Sequence, residues 1–106
     1  MLRSSTEEQA DLIRKEQVTK SAISTLTNTE IDAIKHVFSE LKMGEEQIIV
    51  TSRIADQQGV TRSIIVNALK KFDSAGVIST KSSGMKGTKI KVLNEAVFDA
   101  IKRLDD

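Results

Sequence analysis

The sequence contains no cysteine, no proline, no tryptophan and no tyrosine. Without cysteine there can be no disulfide, no thiolate zinc site and no cysteine nucleophile. No apolar run approaches the roughly 18 residues of a membrane-spanning helix, and residues 1–10 lack the apolar core of a signal peptide. We therefore expect a cytoplasmic protein that does not bind membranes, and the lack of cysteine is compatible with that location.

Residues that could carry catalysis are equally sparse. The chain has no Ser/His/Asp set, no paired carboxylates at motif spacing and no glycine-rich phosphate loop after a strand. Its only histidine, His36, lies on a predicted helix roughly opposite Ile34 and Phe38, so we interpret it as a surface residue rather than a ligand or a base. We expect a protein that is not an enzyme and whose chain holds no metal and no cofactor.

What the chain does have is an uneven distribution of charge. The net charge is only +1, but residues 51–93 carry 8 Lys/Arg against 2 Asp/Glu. Residues 1–50 carry 6 against 9, and residues 94–106 carry 2 against 4. Positive charge concentrated on one part of a domain is typical of a surface that binds phosphate groups.

The basic segment begins with the most informative pattern of the chain, at residues 51–78. Ile54 and Ala55 occupy the inner face of a first short helix, where a small residue lets a second helix cross closely. Gly59 suits a sharp turn with positive φ, and Thr61 is placed to cap the second helix through its hydroxyl. Helical spacing predicts the buried stripe of that second helix as Ile65, Ala68, Leu69 and Phe72.

This pattern predicts a helix-turn-helix and hence DNA binding. Val60 fills the turn from beneath, and Gly76 ends the second helix. Gln58 departs from the pattern, because an apolar residue is more usual there. The alternative is an ordinary helical hairpin, which would leave the coincidence of glycine, cap and small residue in one register unexplained.

The remaining segments complete a winged helix-turn-helix, a mostly α fold with a small antiparallel sheet (α+β). Further helices are predicted at about residues 7–24, from a cap at residues 28–30 to near Met43 and Gly44, and after Asn94 and Glu95. Short strands are predicted at residues 47–50, 77–80 and 88–92. The hairpin tip at residues 82–87 is rich in turn-forming residues and forms the wing.

The first predicted helix is polar, and its apolar residues form only a thin set, namely Leu12, Ile13, Val18 and Ile23. It shows no clean heptad, so we predict no coiled coil. Such a helix could connect to another domain, help to dimerise or pack on the body of this one. We assign residues 1–26 to a connector helix and residues 27–106 to the winged helix-turn-helix domain.

The fold predicts which residues contact DNA. The second helix of the motif should enter the major groove and read base edges, with Arg62 able to fork onto guanine and Asn67 able to read adenine or bind a phosphate. Its predicted contact residues are Thr61, Arg62, Ser63, Val66, Asn67 and Lys70. Thr51 and Ser52 can offer hydroxyls and backbone N–H groups to phosphate at the start of the preceding helix.

A second group of residues is predicted to lie along the phosphate backbone. The cations expected to neutralise phosphates are Arg53, Lys71, Lys81, Lys86 and Lys89. Ser83, Gly84 and Gly87 form the wing tip, and the two glycines let the tip approach a groove closely. Lys91 is a weaker candidate, because it could point to solvent.

The run from Ile34 to Asn94 closely resembles the C-terminal domain of the CodY family, global nutritional repressors of low-GC Gram-positive bacteria. The resemblance rests on IADQQGVTRSIIVNALKKFDSAGVI, on SSGMKGTKIKVLN and on the helix IDAIKHVFSEL, and with the residues around them it covers roughly the last 80 residues. The wing string GMKGT is far more specific than a generic helix-turn-helix. The helix before this run looks like the segment that joins the family's sensor to its DNA-binding domain.

The resemblance implies a repressor of amino-acid metabolism genes that acts as a homodimer on A/T-rich inverted repeats of double-stranded DNA. It also implies that Thr61, Arg62 and Ser63 are central to DNA binding. The family senses branched-chain amino acids, through an N-terminal GAF-type domain, and GTP. A chain of 106 residues has no room for that sensor, so we expect an isolated DNA-binding fragment. Residues 94–98 match a guanine-binding Asn-Lys-x-Asp motif poorly, so we assign no GTP site.

Two alternatives stay open on the sequence. The string ALKKFDSAGVI would also suit a GntR- or MarR-like regulator, although the GMKGT wing argues against both. A winged helix that binds protein rather than DNA would be favoured if apolar patches interrupted the basic face.

Overall fold

Five helices surround one small sheet in the computed structural model, which describes residues 5–84 and 87–104. In chain order the elements are α1 (Ser5–Ser24), α2 (Asn28–Ser39), β1 (Gln47–Ile49), α3 (Thr51–Gln58), α4 (Arg62–Ser74), β2 (Ile78–Ser82), β3 (Thr88–Val92) and α5 (Ala96–Arg103). This order is that of the predicted winged helix-turn-helix, and the fold class is confirmed. In the described residues no helix is both long and apolar enough to span a membrane.

The sheet is antiparallel, with β3 in the middle of the order β1-β3-β2. Thr80 lies opposite the fully buried Ile90, and Ile78 opposite Val92, so these pairs face the core. The alternating residues, including Lys89 and Lys91, therefore face outward, as the period-two pattern predicts. The β2–β3 hairpin extends two residues further than expected, to Ser82, since its pairing continues to the Ser82–Thr88 pair.

The three phenylalanines of the chain form one cluster that joins three helices. The ring of Phe38 on α2 lies 5.7 Å from that of Phe72 on α4 and 5.8 Å from that of Phe98 on α5, between centroids. The second pair is edge-to-face, a favoured geometry for aromatic rings. A chain poor in aromatic residues thus places all of them where α2, α4 and α5 meet.

The ends of α2 differ from the prediction. Thr27, not a residue of the predicted cap at 28–30, is the N-cap, and it forms a reciprocal capping box with Glu30. The helix ends at Ser39, before the predicted end near Met43 and Gly44. The side-chain nitrogen of Gln47 donates to the Glu40 carbonyl at 3.3 Å, and its side-chain oxygen accepts from the Lys42 N–H. These bonds satisfy backbone groups that another turn of helix would otherwise have paired.

The apolar set predicted for α1 is only partly right. Leu12 and Ile13 are more than half exposed, whereas Val18 and Ile23 pack against the core. The helix is fixed instead by small residues near its C-terminal end, because Thr19 and Ala22 are buried. These small side chains allow close contact with α4 and α5, which a search for large apolar residues misses.

Polar contacts also fasten α1 to the start of α5. Lys15 forms a 2.9 Å ion pair with Glu95, and the Asn94 amide donates to the Lys15 carbonyl at 3.0 Å. The side-chain oxygen of Asn94 also accepts from the Ala96 N–H at 3.1 Å and so satisfies a backbone donor at the start of α5. Leu104 follows the last residue of α5 and is 37% exposed.

Gly87 generates a stability prediction. A Cβ at Gly87 would lie 2.5 Å from the Ile49 carbonyl oxygen, where β1 meets β3, whereas one at Gly84 would meet nothing within 4 Å. Both have positive φ, so Gly84→Ala should cost about 1–2 kcal/mol in the free energy of unfolding from backbone strain alone. Gly87→Ala should cost roughly 1–3 kcal/mol more, because β1 must move. Urea unfolding of both variants tests this, and equal losses would contradict it.

Candidate nucleic-acid interface

The turn between α3 and α4 has the predicted construction. Gly59 adopts the left-handed conformation, with φ 65°, and the Val60 N–H donates to the Ala55 carbonyl at 3.0 Å. Ile54 and Ala55 are buried on the inner side of α3, and Val60 packs against the core. The helix-turn-helix therefore rests on the residues that the pattern singled out.

The inner face of α4 fixes which residues its outer face presents. All four residues of the predicted stripe, Ile65, Ala68, Leu69 and Phe72, are buried. The predicted contact residues Arg62, Ser63, Asn67 and Lys70 are exposed, and Val66 is half-buried. Each predicted contact residue of this helix thus reaches solvent.

Thr61 is the N-cap residue of α4, but its side chain caps no backbone N–H. Its hydroxyl lies 3.0 Å from that of Ser63 instead. The position of the cap was predicted correctly, whereas the hydrogen bond was not, because a second hydroxyl competes for the Thr61 oxygen. The two hydroxyls form an exposed pair at the first turn of the helix.

Thr51 and Ser52 at the start of α3 differ sharply in exposure. Ser52 is exposed, as a phosphate contact requires, but Thr51 is buried, with only 3% of its surface accessible. The Thr51 hydroxyl oxygen accepts a 3.2 Å hydrogen bond from Nε of Arg62. This bond connects the first turn of α3 to the first turn of α4.

Arg53 is exposed but already has an anionic partner. Its guanidinium lies 2.7 Å from Glu40, whose other carboxylate oxygen is buried and lies 3.4 Å from Nε2 of His36. The positive charge predicted to neutralise phosphate is therefore partly offset within the protein. The i, i+4 spacing of His36 and Glu40 was visible in the sequence, whereas the link to Arg53 joins separate elements.

The polar residue at position 58 also belongs to this cluster. The Gln58 amide donates to Nδ1 of His36 at 3.1 Å, and Nε2 of His36 lies 2.9 Å from the Gln57 side-chain oxygen. Gln58 departs from the usual apolar residue because it connects α3 to α2 through His36.

Three lysines lie on the outer face of the β2–β3 hairpin. Lys81 pairs directly with Lys89, and Lys91 shares their face two residues along β3. Beyond them the Ser83 N–H donates to the Gly87 carbonyl at 2.8 Å and closes the turn, with Gly84 exposed. The predicted contact at Lys86 lies outside the described residues. Lys91 lies on the same face of the hairpin as Lys81 and Lys89, because side chains two residues apart on a strand share a face.

Lys71, predicted to contact phosphate, is half-buried and has partners within the protein. Its ammonium donates to the Glu30 carboxylate at 2.8 Å and to the Thr25 carbonyl at 2.9 Å. The bonds tie α4 to the junction of α1 and α2. The neighbouring Lys70 is exposed, because adjacent residues of a helix lie about 100° apart around its axis.

With this geometry established, comparison with known proteins identifies the family. A model of the CodY helix-turn-helix domain matches residues 45–105. The chain belongs to the CodY family. The Global transcriptional regulator CodY of Clostridium botulinum (strain Eklund 17B / Type B) is 53% identical over 104 residues, 98% of this chain and 40% of that protein. That of Clostridium perfringens (strain SM101 / Type A) is 55% identical over 91 residues, 86% of this chain and 35% of that protein.

Family membership confirms the resemblance stated from the sequence. CodY proteins are transcriptional regulators and not enzymes, and a match to their helix-turn-helix domain sets aside the GntR- and MarR-like alternative. The chain spans about 40% of the length of the relatives it matches. Among the described residues there is no group of three or more His, Asp or Glu side chains that could hold a metal ion.

The two adjacent lysines of α4 give a paired stability prediction. Lys71→Met should lower the free energy of unfolding by about 1–2 kcal/mol, because Glu30 and the Thr25 carbonyl lose a charged donor. Lys70→Met should change it little, since Lys70 is exposed and makes no such contact among the described residues. Urea unfolding at neutral pH measures both, and the prediction is wrong if the two variants lose the same stability.

Glu30 adds a pH dependence to the same contact. Burial raises the pKa of its carboxyl, but hydrogen bonds from Lys71 and from Thr27 outweigh burial and hold the pKa below the ordinary 4.5. The ionised carboxylate therefore stabilises the fold above that value, and this contribution is lost as the pH falls through the lower pKa of the folded state. Glu30→Gln keeps the capping geometry but removes the charge. It should therefore have a lower free energy of unfolding than the wild type at neutral pH, and this difference should shrink below about pH 4.5. A constant gap across a pH series of urea unfolding would contradict this assignment.

Proposed function

We propose that this chain is the sequence-specific DNA-binding part of a repressor of nutrient and amino-acid metabolism genes. In this proposal α4 lies in the major groove, and the wing contacts the flanking backbone or groove. The observation that carries it is the exposed first turn of α4, headed by Arg62, in a chain that contains the helix-turn-helix domain of a family of transcriptional regulators.

The chemistry of α4 suits base edges. Arg62 can donate two parallel hydrogen bonds to O6 and N7 of guanine, and Asn67 can donate to and accept from adenine. Lys70, further along the exposed face, suits phosphate. The half-buried Val66 could contact a thymine methyl group. Exposure of these side chains on one helix supports a sequence-reading role.

The β2–β3 hairpin and the start of α3 would supply contacts without sequence preference. Lys81 and Lys89 are like charges directly opposite each other, an arrangement that destabilises a free hairpin and that a phosphate would relieve. The exposed Ser52 and the backbone N–H groups of the first turn of α3 suit another phosphate. Arg53 would contribute less, because Glu40 already offsets its charge.

The rest of the regulator is proposed from the resemblance. A homodimer would match an A/T-rich inverted repeat, since the symmetry of such a site mirrors a two-fold axis. Branched-chain amino acids and GTP would act as effectors through the remainder of the protein. A regulator of this kind would work in the cytoplasm, where the chromosome is.

We also propose that residues 1–26 form the connector and residues 27–106 the DNA-binding unit. Contacts of α1 with α4 and α5 support a connector whose C-terminal end is packed on that unit. The exposed Leu12 and Ile13 lie in the N-terminal half of α1.

Binding should be measured by fluorescence anisotropy on an A/T-rich inverted-repeat duplex and a scrambled duplex over a salt series. We expect tighter binding to the repeat, with log affinity falling steeply as log salt rises. Arg62→Ala should abolish the preference between the duplexes and leave the fold intact. Lys86→Ala should instead weaken binding to both duplexes alike.

Lys70 and Lys71 provide a matched control on the same helix. The salt slope is the change in log affinity per unit of log salt concentration. Lys70→Met should reduce the magnitude of this slope by about one unit, because one phosphate contact is lost. Lys71→Met should leave the slope unchanged at temperatures where that variant is folded. Unchanged discrimination in Arg62→Ala would overturn the assignment of α4 as the recognition helix. No binding even at low salt would favour the alternative of a protein-binding winged helix, for which the exposed Ile48 and Leu93 would be candidate contacts.

A further inference from the structure

The hydrogen bond between Thr51 and Arg62 joins a buried residue to a residue predicted to read bases. Thr51 Oγ1 accepts from Arg62 Nε at 3.2 Å, across 11 residues of sequence. Thr51 is 3% exposed, whereas Arg62 is exposed. The acceptor is therefore fixed in the first turn of α3, and the donor is free to meet a ligand.

The bond uses only one of the five N–H donors of the guanidinium. Nη1 and Nη2 of Arg62 have no hydrogen-bond partner among the described residues. These two nitrogens form the end-on fork that fits two acceptors of a guanine edge. Thr51 thus holds the guanidinium by its inner N–H and leaves the outer donors available.

A held arginine differs from a mobile one in what binding costs. Immobilising a side chain with many rotamers on binding costs roughly 0.5–1.5 kcal/mol, about 2- to 12-fold in affinity. A bond already present in the free protein removes part of that cost. It also disfavours positions of the fork that would suit a wrong base pair.

We propose that Thr51 is a positioning residue that sets sequence discrimination by orienting Arg62, without itself contacting DNA. The proposal rests on the function proposed above. It replaces the sequence prediction that the Thr51 hydroxyl binds phosphate, because that hydroxyl is buried and engaged. Ser52, the exposed neighbour, is the residue of α3 that suits phosphate.

The test compares Thr51→Val, which keeps the side-chain volume and removes the acceptor, with Thr51→Ser, which keeps the hydroxyl. Each is measured on the two duplexes over the salt series, alone and combined with Arg62→Ala. The Arg62 Nε–H resonance is followed in ¹H–¹⁵N spectra of the free chain. Thermal unfolding establishes that each variant is folded at the assay temperature.

Thr51→Val should reduce the affinity ratio between the inverted repeat and the scrambled duplex about 3- to 10-fold. Its salt slope should stay that of the wild type, because no phosphate contact is lost. Thr51→Ser should restore the ratio, and Thr51→Val should have no further effect when Arg62 is already alanine. The Nε–H of Arg62 should exchange faster with water in Thr51→Val than in the wild type or Thr51→Ser.

Two results would overturn the inference while leaving the proposed function intact. One is an unchanged affinity ratio in Thr51→Val when Arg62→Ala loses it. The other is an equal loss of affinity for both duplexes with a smaller salt slope, which would make Thr51 a phosphate contact after all. If the wild-type chain itself does not discriminate, the proposed function fails, and the role of Thr51 in discrimination fails with it.

Discussion

The close packing of α3 against α4 is the constraint on which the candidate interface depends. Gly59 supplies the left-handed turn, and the buried Ile54 and Ala55 let the two helices approach. Because the inner faces are fixed in the core, the outer faces have no freedom to rotate. This packing brings Thr51 within hydrogen-bond distance of Arg62. It also leaves Asn67 exposed on α4.

The lysines outside that packing fall into two groups: some are bonded within the protein, and others have no anionic partner among the described residues. Lys71 ties α4 to Thr25 and Glu30, where α1 ends and α2 begins. Lys81 and Lys89 point outward without an anionic partner among the described residues. Counting positive charge along the sequence therefore overstates the charge available to a ligand, whereas Lys81 and Lys89 on the β2–β3 hairpin remain available.

Local patterns predicted most of the fold. Helical spacing located the stripe from Ile65 to Phe72, alternation located the faces of β3, and Gly59 located the turn, because each depends on neighbours within a few residues. The docking of α1 stayed one of three alternatives on the sequence, since it relies on the small Thr19 and Ala22 rather than on large apolar residues. The end of α2 was missed because Gln47 replaces its last turn.

The sequence predicted which residues of α4 are exposed at the candidate interface, but it did not predict which side chains bond to each other there. The Arg62–Thr51, Arg53–Glu40 and Lys71–Glu30 contacts span 11, 13 and 41 residues. These separations do not correspond to the repeat of a helix or a strand, so the pairings can be identified only once the packing of the helices is known. The burial of Thr51 and the bond of Lys71 to Glu30 are both consequences of this packing.

The directly opposed Lys81 and Lys89 give the hairpin an unusual response to ionic strength. In the free protein, added salt screens their repulsion and makes the hairpin more stable. When a polyanion lies across the same face, added salt competes for the lysines and loosens the contact. The same ions therefore stiffen the hairpin in the free protein and would release a polyanion bound to it.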